Sequence, residues 1–327
     1  MLNPPKILNH RGFFKKHDIW GYCYRPNLNI RLLSSDLSMP GYFLKTNNYG
    51  FRTSLNNDEF LSSKKTKILI IGCSFSAGDG VANSCRFSDL VTYYDDHIEI
   101  YNAALPGSGH DQQYLILKDL IPIIRPNIVL LSPYTGCANR NLVGERSFID
   151  PLHGGITKRS KPFFVMKNND IVLQNVPVPQ WKSFAHDYSN FSKLIADFEN
   201  IFRSLYKKMS STSFFLNKYP NLSPEGQILT ASIIKAISIT SGEYGAKLII
   251  MPLPSKKDLS SNQINAVLNF YYSLSDSSDF HVIDVSQSFK RLSSRLEDSL
   301  FIPSDGHYSP FGHRLITDFL LTSRCFN

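Results

Sequence analysis

A serine hydroxyl attacks an acyl carbon when a base lies within hydrogen-bond reach and a third group orients that base. This chain carries the parts for such a set at opposite ends of its 327 residues. Lys67 to Val81 reads Lys-Ile-Leu-Ile-Ile-Gly-Cys-Ser-Phe-Ser-Ala-Gly-Asp-Gly-Val. Ser74 follows an aliphatic run that stops at Gly72, and Gly78 and Gly80 precede helix-like sequence. Ile302 to Arg314 reads Ile-Pro-Ser-Asp-Gly-His-Tyr-Ser-Pro-Phe-Gly-His-Arg. Asp305 and His307 stand two apart in a Pro/Gly-flanked loop, so both can turn toward one cleft. The chemistry open to this set is nucleophilic: His307 takes the Ser74 proton, and Asp305 orients the imidazole. Ser76 is the alternative nucleophile but lies farther from the strand end. His313 is the alternative base but falls inside the expected last helix.

For these residues to meet, the chain between them must form a scaffold. Lys67–Ile71, Ile98–Ala104, Asn127–Ser132, Lys247–Met251 and His281–Val285 read as five short buried strands. Helical sequence fits Asn83–Tyr94, Asp111–Ile121, Ser189–Met209, a stretch from the Ser223-Pro224 cap to Gly242, Gln263–Leu274 and Pro310–Leu321. That alternation implies a parallel sheet between two helical layers. The carboxyl ends of such strands are where open α/β sheets bind ligands, and the following helices present free N–H groups there.

Residues up to about Ser63 lack helical periodicity. Short strands around Trp20–Tyr24, Asn27–Leu33 and Tyr42–Thr46 make residues 1–63 a β-rich cap on a domain spanning 64–327. Residues 145–185 interrupt the α/β pattern, and Phe163–Gln174 reads as a β-hairpin around Asn168-Asn169-Asp170. This insertion is expected near the cleft mouth. Its Lys158, Arg159 and Lys161 are either contacts for an acidic substrate or solvated surface.

Composition narrows the classes. No run approaches the roughly 18 apolar residues of a membrane helix, and the first residues lack the order of a signal peptide. Five cysteines at irregular spacing support neither a disulfide framework nor a zinc site. A cytoplasmic protein is the expectation. The formal charge is +8, from 35 Lys and Arg against 27 Asp and Glu. The basic residues are scattered without a nucleic-acid signature, which argues against nucleic acid and leaves an anionic substrate open. No cofactor or metal motif is present.

The Ser74 block and the late Asp-x-His pair together resemble the SGNH (GDSL-like) hydrolases of bacteria. The match covers most of the chain. It implies a flavodoxin-like three-layer α/β/α sandwich on a parallel five-stranded sheet, with Ser74, Asp305 and His307 as the triad at its carboxyl edge. Leu105-Pro-Gly-Ser-Gly-His-Asp-Gln-Gln resembles the family's second block, whose glycine N–H joins the Ser74 N–H in an oxyanion hole. Gly107 matches, with Gly109 the alternative. His110 beside it is a candidate substrate contact. The third block of the family ends in a Gly-Asn pair whose amide also donates to the oxyanion. Here Cys137 follows Gly136, a departure, and Asn139 or else Asn141 is left to supply the amide. Asn48-Tyr-Gly-Phe-Arg resembles a phrase that precedes the nucleophile block. Its Arg52 either reaches a substrate phosphate or carboxylate or pins the segment to the sheet.

The resemblance implies an esterase acting through an acyl-serine on O-acyl, chiefly O-acetyl, esters of a saccharide. With a sugar hydroxyl as acceptor and acetyl-CoA as donor, the same triad would make an O-acetyltransferase. A non-catalytic glycan-binding relative is a third reading, favoured by Cys137 and opposed by the intact Ser74, Asp305 and His307. The α/β-hydrolase elbow, Gly-x-Ser-x-Gly, does not fit Ser74-Phe75-Ser76.

Overall fold

Strand β5 (Thr66–Gly72) explains the architecture. Successive strand side chains point to opposite faces, and here both faces are apolar: Ile68 and Ile70 enter one core, Leu69 and Ile71 the other. A strand buried on both sides needs a helical layer on each, which is the condition under which parallel sheets occur. The computed structural model describes residues 13–32, 41–53, 57–150, 155–180, 182–184, 219–261, 263–292, 298–303 and 305–326. The helix expected over Ser189–Met209 lies outside them.

The central sheet also contains β6 (Ile98–Asn102), β7 (Ile128–Ser132), β13 (Lys247–Ile250) and β14 (Phe280–Val282). Its order is β6-β5-β7-β13-β14 and every pairing is parallel. Numbered within the sheet this is 2-1-3-4-5, the flavodoxin-like order. Helices α1 (Phe87–Tyr94) and α5 (Pro310–Ser323) supply Phe87, Val91, Ile316 and Leu320 to one face. Helices α2 (His110–Ile124), α3 (Pro224–Glu243) and α4 (Gln263–Ser275) cover the other. Two of these helices begin as their sequence suggests. Ser223 Oγ accepts from Gly226 N at 3.1 Å and Ser309 Oγ from Gly312 N at 3.2 Å, each ahead of a proline. Helix α2 runs past its expected end, through Pro122, to an Arg125 in the left-handed region.

Before the sheet come two hairpins, β1 (Phe14–His17) with β2 (Gly21–Tyr24) and β3 (Asn29–Leu32) with β4 (Tyr42–Lys45). They share a hydrophobic core with the α2 face of the sheet. Trp20 Nε1 donates to Asp119 at 2.7 Å, and Tyr22 Oη donates to the Pro106 carbonyl at 2.6 Å.

After β7 the insertion contains more strand than the sequence suggests. A three-stranded antiparallel sheet joins β8 (Glu145–Asp150), β9 (Gly155–Ser160) and β12 (Lys182–Phe184). The expected hairpin forms from β10 (Phe163–Lys167) and β11 (Asp170–Gln174), with Asn168 and Asn169 both at positive φ as a two-residue turn requires. Phe164 packs against Tyr114 of α2, ring centroids 5.8 Å apart.

The insertion's basic residues require a correction. Lys158 is exposed, but Arg159 is 1% exposed, its guanidinium 5.0 Å from the Phe14 ring centroid and 5.4 Å from that of Tyr22. Lys161 is fully buried, ion-paired with Asp111, and donates to the Arg140 and Val143 carbonyls at 3.1 and 3.0 Å. Arg159 and Lys161 are therefore neither substrate contacts nor solvated surface. They tie the insertion to β1, β2 and the start of α2.

Candidate active site

Gly72 ends β5 where no side chain fits. A Cβ there would stand 2.4 Å from Ser76 Oγ and 2.7 Å from the Ser132 carbonyl. The chain then turns into a one-turn helix, Ser74–Ala77, which starts just past the carboxyl end of β5 and leaves Ser74 7% exposed. Ser74 Oγ lies 2.8 Å from His307 Nε2, and His307 Nδ1 is hydrogen-bonded to Asp305 Oδ1. With Nδ1–H donating to the carboxylate, Nε2 is free to accept the Ser74 proton. The structure thus brings Ser74 to a pair, Asp305 and His307, that lies more than two hundred positions away.

The Asp305–His307 loop is held from several sides. Ile302 N donates to the His307 carbonyl at 2.8 Å and Gly306 N to the Ile302 carbonyl at 3.0 Å. Tyr308 Oη anchors the loop to the Pro254 carbonyl, beyond β13, at 2.6 Å. Gly80, at φ +89°, lets the two loops approach: a Cβ there would stand 2.3 Å from Ile302 Cδ1. Burial draws the His307 pKa down, but the Asp305 hydrogen bond and the charges of Asp79 and Asp305 outweigh it. The net shift is upward from the ordinary histidine value. Asp79 is a second carboxylate in the site that sequence reading passed over; its N–H donates to the Ser74 carbonyl at 3.0 Å.

The alternatives are occupied elsewhere. Ser76 is fully buried, and its Oγ donates to the Ser132 carbonyl at 2.5 Å. His313 is fully buried against Phe87, and burial pushes its pKa down to about 3. Neither takes part in the hydrogen bonds that join Ser74, His307 and Asp305.

Gly107 sits in the turn after β6 at φ +78°. The turn is stitched to the nucleophile strand, because the Gly72 carbonyl accepts from both Leu105 N and Ser108 Oγ, each at 2.9 Å. Neither the Ser74 N–H nor the Gly107 N–H donates a hydrogen bond among the described residues. Gly109 is instead the N-cap of α2.

Three other expected contacts are corrected. Arg52 is 1% exposed. Its guanidinium donates to the Ala77, Gly78 and Val81 carbonyls at 2.8, 2.9 and 2.8 Å and to Asn83 Oδ1 at 3.2 Å. It clamps the loop that follows Ser74 and has no face toward a substrate. His110 is fully buried. Asn141 Nδ2 approaches its Nδ1 at 3.3 Å, leaving Nε2–H to donate to Tyr271 Oη at 2.8 Å. Burial, aided by the Arg140 charge, lowers its pKa to about 3, so it is a neutral core histidine. Of the two asparagines, Asn141 caps α2 by accepting from His110 N at 2.8 Å and donates to Thr230 Oγ1 at 3.0 Å. Asn139 lines a separate cleft with Tyr134 and Asp258. Cys137 is fully buried, and its thiol faces Gln113, Arg140 and Cys73. No side-chain amide of this loop meets Ser74 among the described residues.

Aromatic packing completes the site and carried no signal in the sequence beyond ordinary core. The Phe75 ring stacks on Tyr134 with centroids 5.1 Å apart and planes within 5°, and lies 5.0 Å from the His307 ring. Arg140 covers the Tyr134 ring at 5.1 Å and donates to the Ser108 carbonyl at 2.9 Å, joining the Gly107 turn to the loop after β7.

No protein-family model and no curated protein matches this chain. Among solved structures it is similar to TesA, at 10% identity and TM-score 0.46 over 79% of this chain and 98% of that one. It is also similar to a psychrotrophic esterase, EstA, from Pseudoalteromonas sp., at 13% identity and TM-score 0.44 over 80% and 97%. A third is a catalytic mutant of Axe2, an acetylxylan esterase from Geobacillus stearothermophilus, at 10% identity and TM-score 0.46 over 81% and 96%. On its own topology, with the sheet in 2-1-3-4-5 order, Ser74 after the first sheet strand and Asp305-x-His307 before the last helix, the chain has an SGNH-like α/β fold.

Proposed function

We propose that this protein is a serine esterase that cleaves O-acyl, chiefly O-acetyl, esters of a saccharide. The observation that carries the reading is the Ser74–His307–Asp305 relay, with Ser74 Oγ 2.8 Å from the accepting nitrogen. In this mechanism His307 Nε2 takes the Ser74 proton as Oγ bonds to the acyl carbon. The oxyanion is met by the Ser74 and Gly107 N–H groups, which have no other partner among the described residues. Collapse breaks the bond to the alcohol, which leaves with the proton from Nε2. Water then repeats the sequence and releases the carboxylic acid, restoring Ser74. Backbone donors suit this task because the fold holds them rigid, each being worth ~10²–10³ in rate.

Steady-state hydrolysis of p-nitrophenyl acetate tests the reading. Ser74→Ala and His307→Ala should each lower kcat by at least ~10³-fold while the circular dichroism spectrum is unchanged. Retention of wild-type turnover in Ser74→Ala would refute it.

A further inference from the structure

A cleft of about 160 Å³ lies beside the relay and is used by none of the steps above. The Tyr134 ring forms its partition from the relay: it lines the cleft and stacks on Phe75, which touches His307. The wall is braced by Asp258, whose Oδ2 accepts from Thr135 Oγ1 at 2.5 Å and from Ser255 N at 2.8 Å. This ties the loop after β7 to the loop after β13, so the cleft is a built feature of the sheet's carboxyl edge.

Its remaining polar groups are unspent. Asn139, Asn221, Gln263 and Lys257 line the cleft, and their side chains have no hydrogen-bond partner among the described residues. Each amide offers two donors and an acceptor, and the ammonium offers three donors. A sugar hydroxyl both donates and accepts, so a ring of amides matches a hydroxyl-rich ligand better than an acyl chain, which leaves every amide unpaired.

Resting on the esterase reading of Ser74, we propose that this cleft is the subsite for the saccharide portion of the ester, read by Asn139, Asn221 and Gln263, with Lys257 as a further donor. Asn139, expected in the oxyanion hole, acts in substrate selection.

The test compares kcat/KM for a panel of mono-O-acetylated methyl glycosides with that for ethyl acetate, in wild type, Gln263→Ala and Asn221→Gly. Glycine is chosen at 221 because its φ is +57°. At least one glycoside ester should exceed ethyl acetate tenfold or more. Each variant should cut that preference roughly three- to tenfold, the worth of one neutral hydrogen bond, chiefly through KM. Equal loss on both esters, or no preference for glycosides in wild type, overturns the subsite. Saturation-transfer NMR of the same glycosides on Ser74→Ala reads the cleft without hydrolysis. Binding there that Gln263→Ala abolishes supports the subsite even if the Ser74 reading fails, and absence of binding overturns the subsite even if esterase activity is found.

Discussion

Arg52→Met separates the two roles open to this arginine by stability rather than by rate. The native guanidinium donates to three carbonyls, all in the loop that leaves the Ser74 helix, and to Asn83 Oδ1. Hydrogen bonds from a charged donor are worth ~1.5–3 kcal/mol each, and a buried acceptor left unpaired costs ~1–3 kcal/mol. These terms do not add, because the loop relaxes and the cost of burying the guanidinium is recovered. With four acceptors losing their donor and partial relaxation of the loop, the expected loss for Arg52→Met is about 3–5 kcal/mol. At ~2 °C per kcal/mol for a chain of this size, the melting temperature should fall by roughly 6–10 °C. Arg52→Lys should recover only part, since an ammonium cannot span carbonyls on opposite sides of a planar fork. The assay is thermal and urea unfolding beside p-nitrophenyl acetate kinetics below the new transition. A variant of wild-type stability whose only defect is a raised KM would refute the reasoning and return Arg52 to the substrate.

Two further outcomes follow from charge placement. The base must be neutral, so kcat/KM should rise as pH climbs through the raised His307 pKa, above the ordinary value of about 6.5. Asp79→Asn removes a charge that favours the imidazolium, so the acid limb should move to lower pH in a pH–rate profile; an unmoved limb contradicts this. The Asp111–Lys161 pair is fully buried, and burial pushes the carboxyl up and the ammonium down. Lys161→Met alone leaves a buried carboxylate unpaired and should cost ~3–5 kcal/mol in urea unfolding, while Asp111→Leu with Lys161→Met should recover at least half. Single variants within 1 kcal/mol of wild type would show that the pair relaxes to water.

The sheet was legible in the sequence because strands buried on both faces read as unbroken aliphatic runs, as in Ile68 to Ile71. The starts of α3 and α5 were legible because Ser-Pro fixes a cap locally. Ser74, Asp305 and His307 stood out through spacing and strand-end position, and these are the three residues that meet. What failed depends on partners distant in sequence. Lys161 and Arg159 read as surface because their type is usually exposed; their burial is set by Asp111, Phe14 and Tyr22. Asn139 and Asn141 differ by two residues in a 3-10 turn, so one faces the cleft and the other α2, and only a two-residue shift of register would put one in the other's place. Strand β1 (Phe-Lys-Lys-His) and strands β8 and β9 (Glu-Arg-Ser-Phe-Ile-Asp and Gly-Ile-Thr-Lys-Arg-Ser) interleave apolar with charged residues and form no aliphatic run. Phe75 and Tyr134 carry the site's aromatic wall, yet their types are those of any core.

The central claim is that Ser74 is an activated nucleophile. Intact-mass analysis after incubation with a fluorophosphonate probe, on wild type and Ser74→Ala, tests it most directly. One adduct is expected on the wild-type chain, mapped to Ser74 by peptide sequencing and absent from the variant. An adduct that persists in Ser74→Ala, or a wild-type chain that stays unmodified while hydrolysing esters, would contradict it.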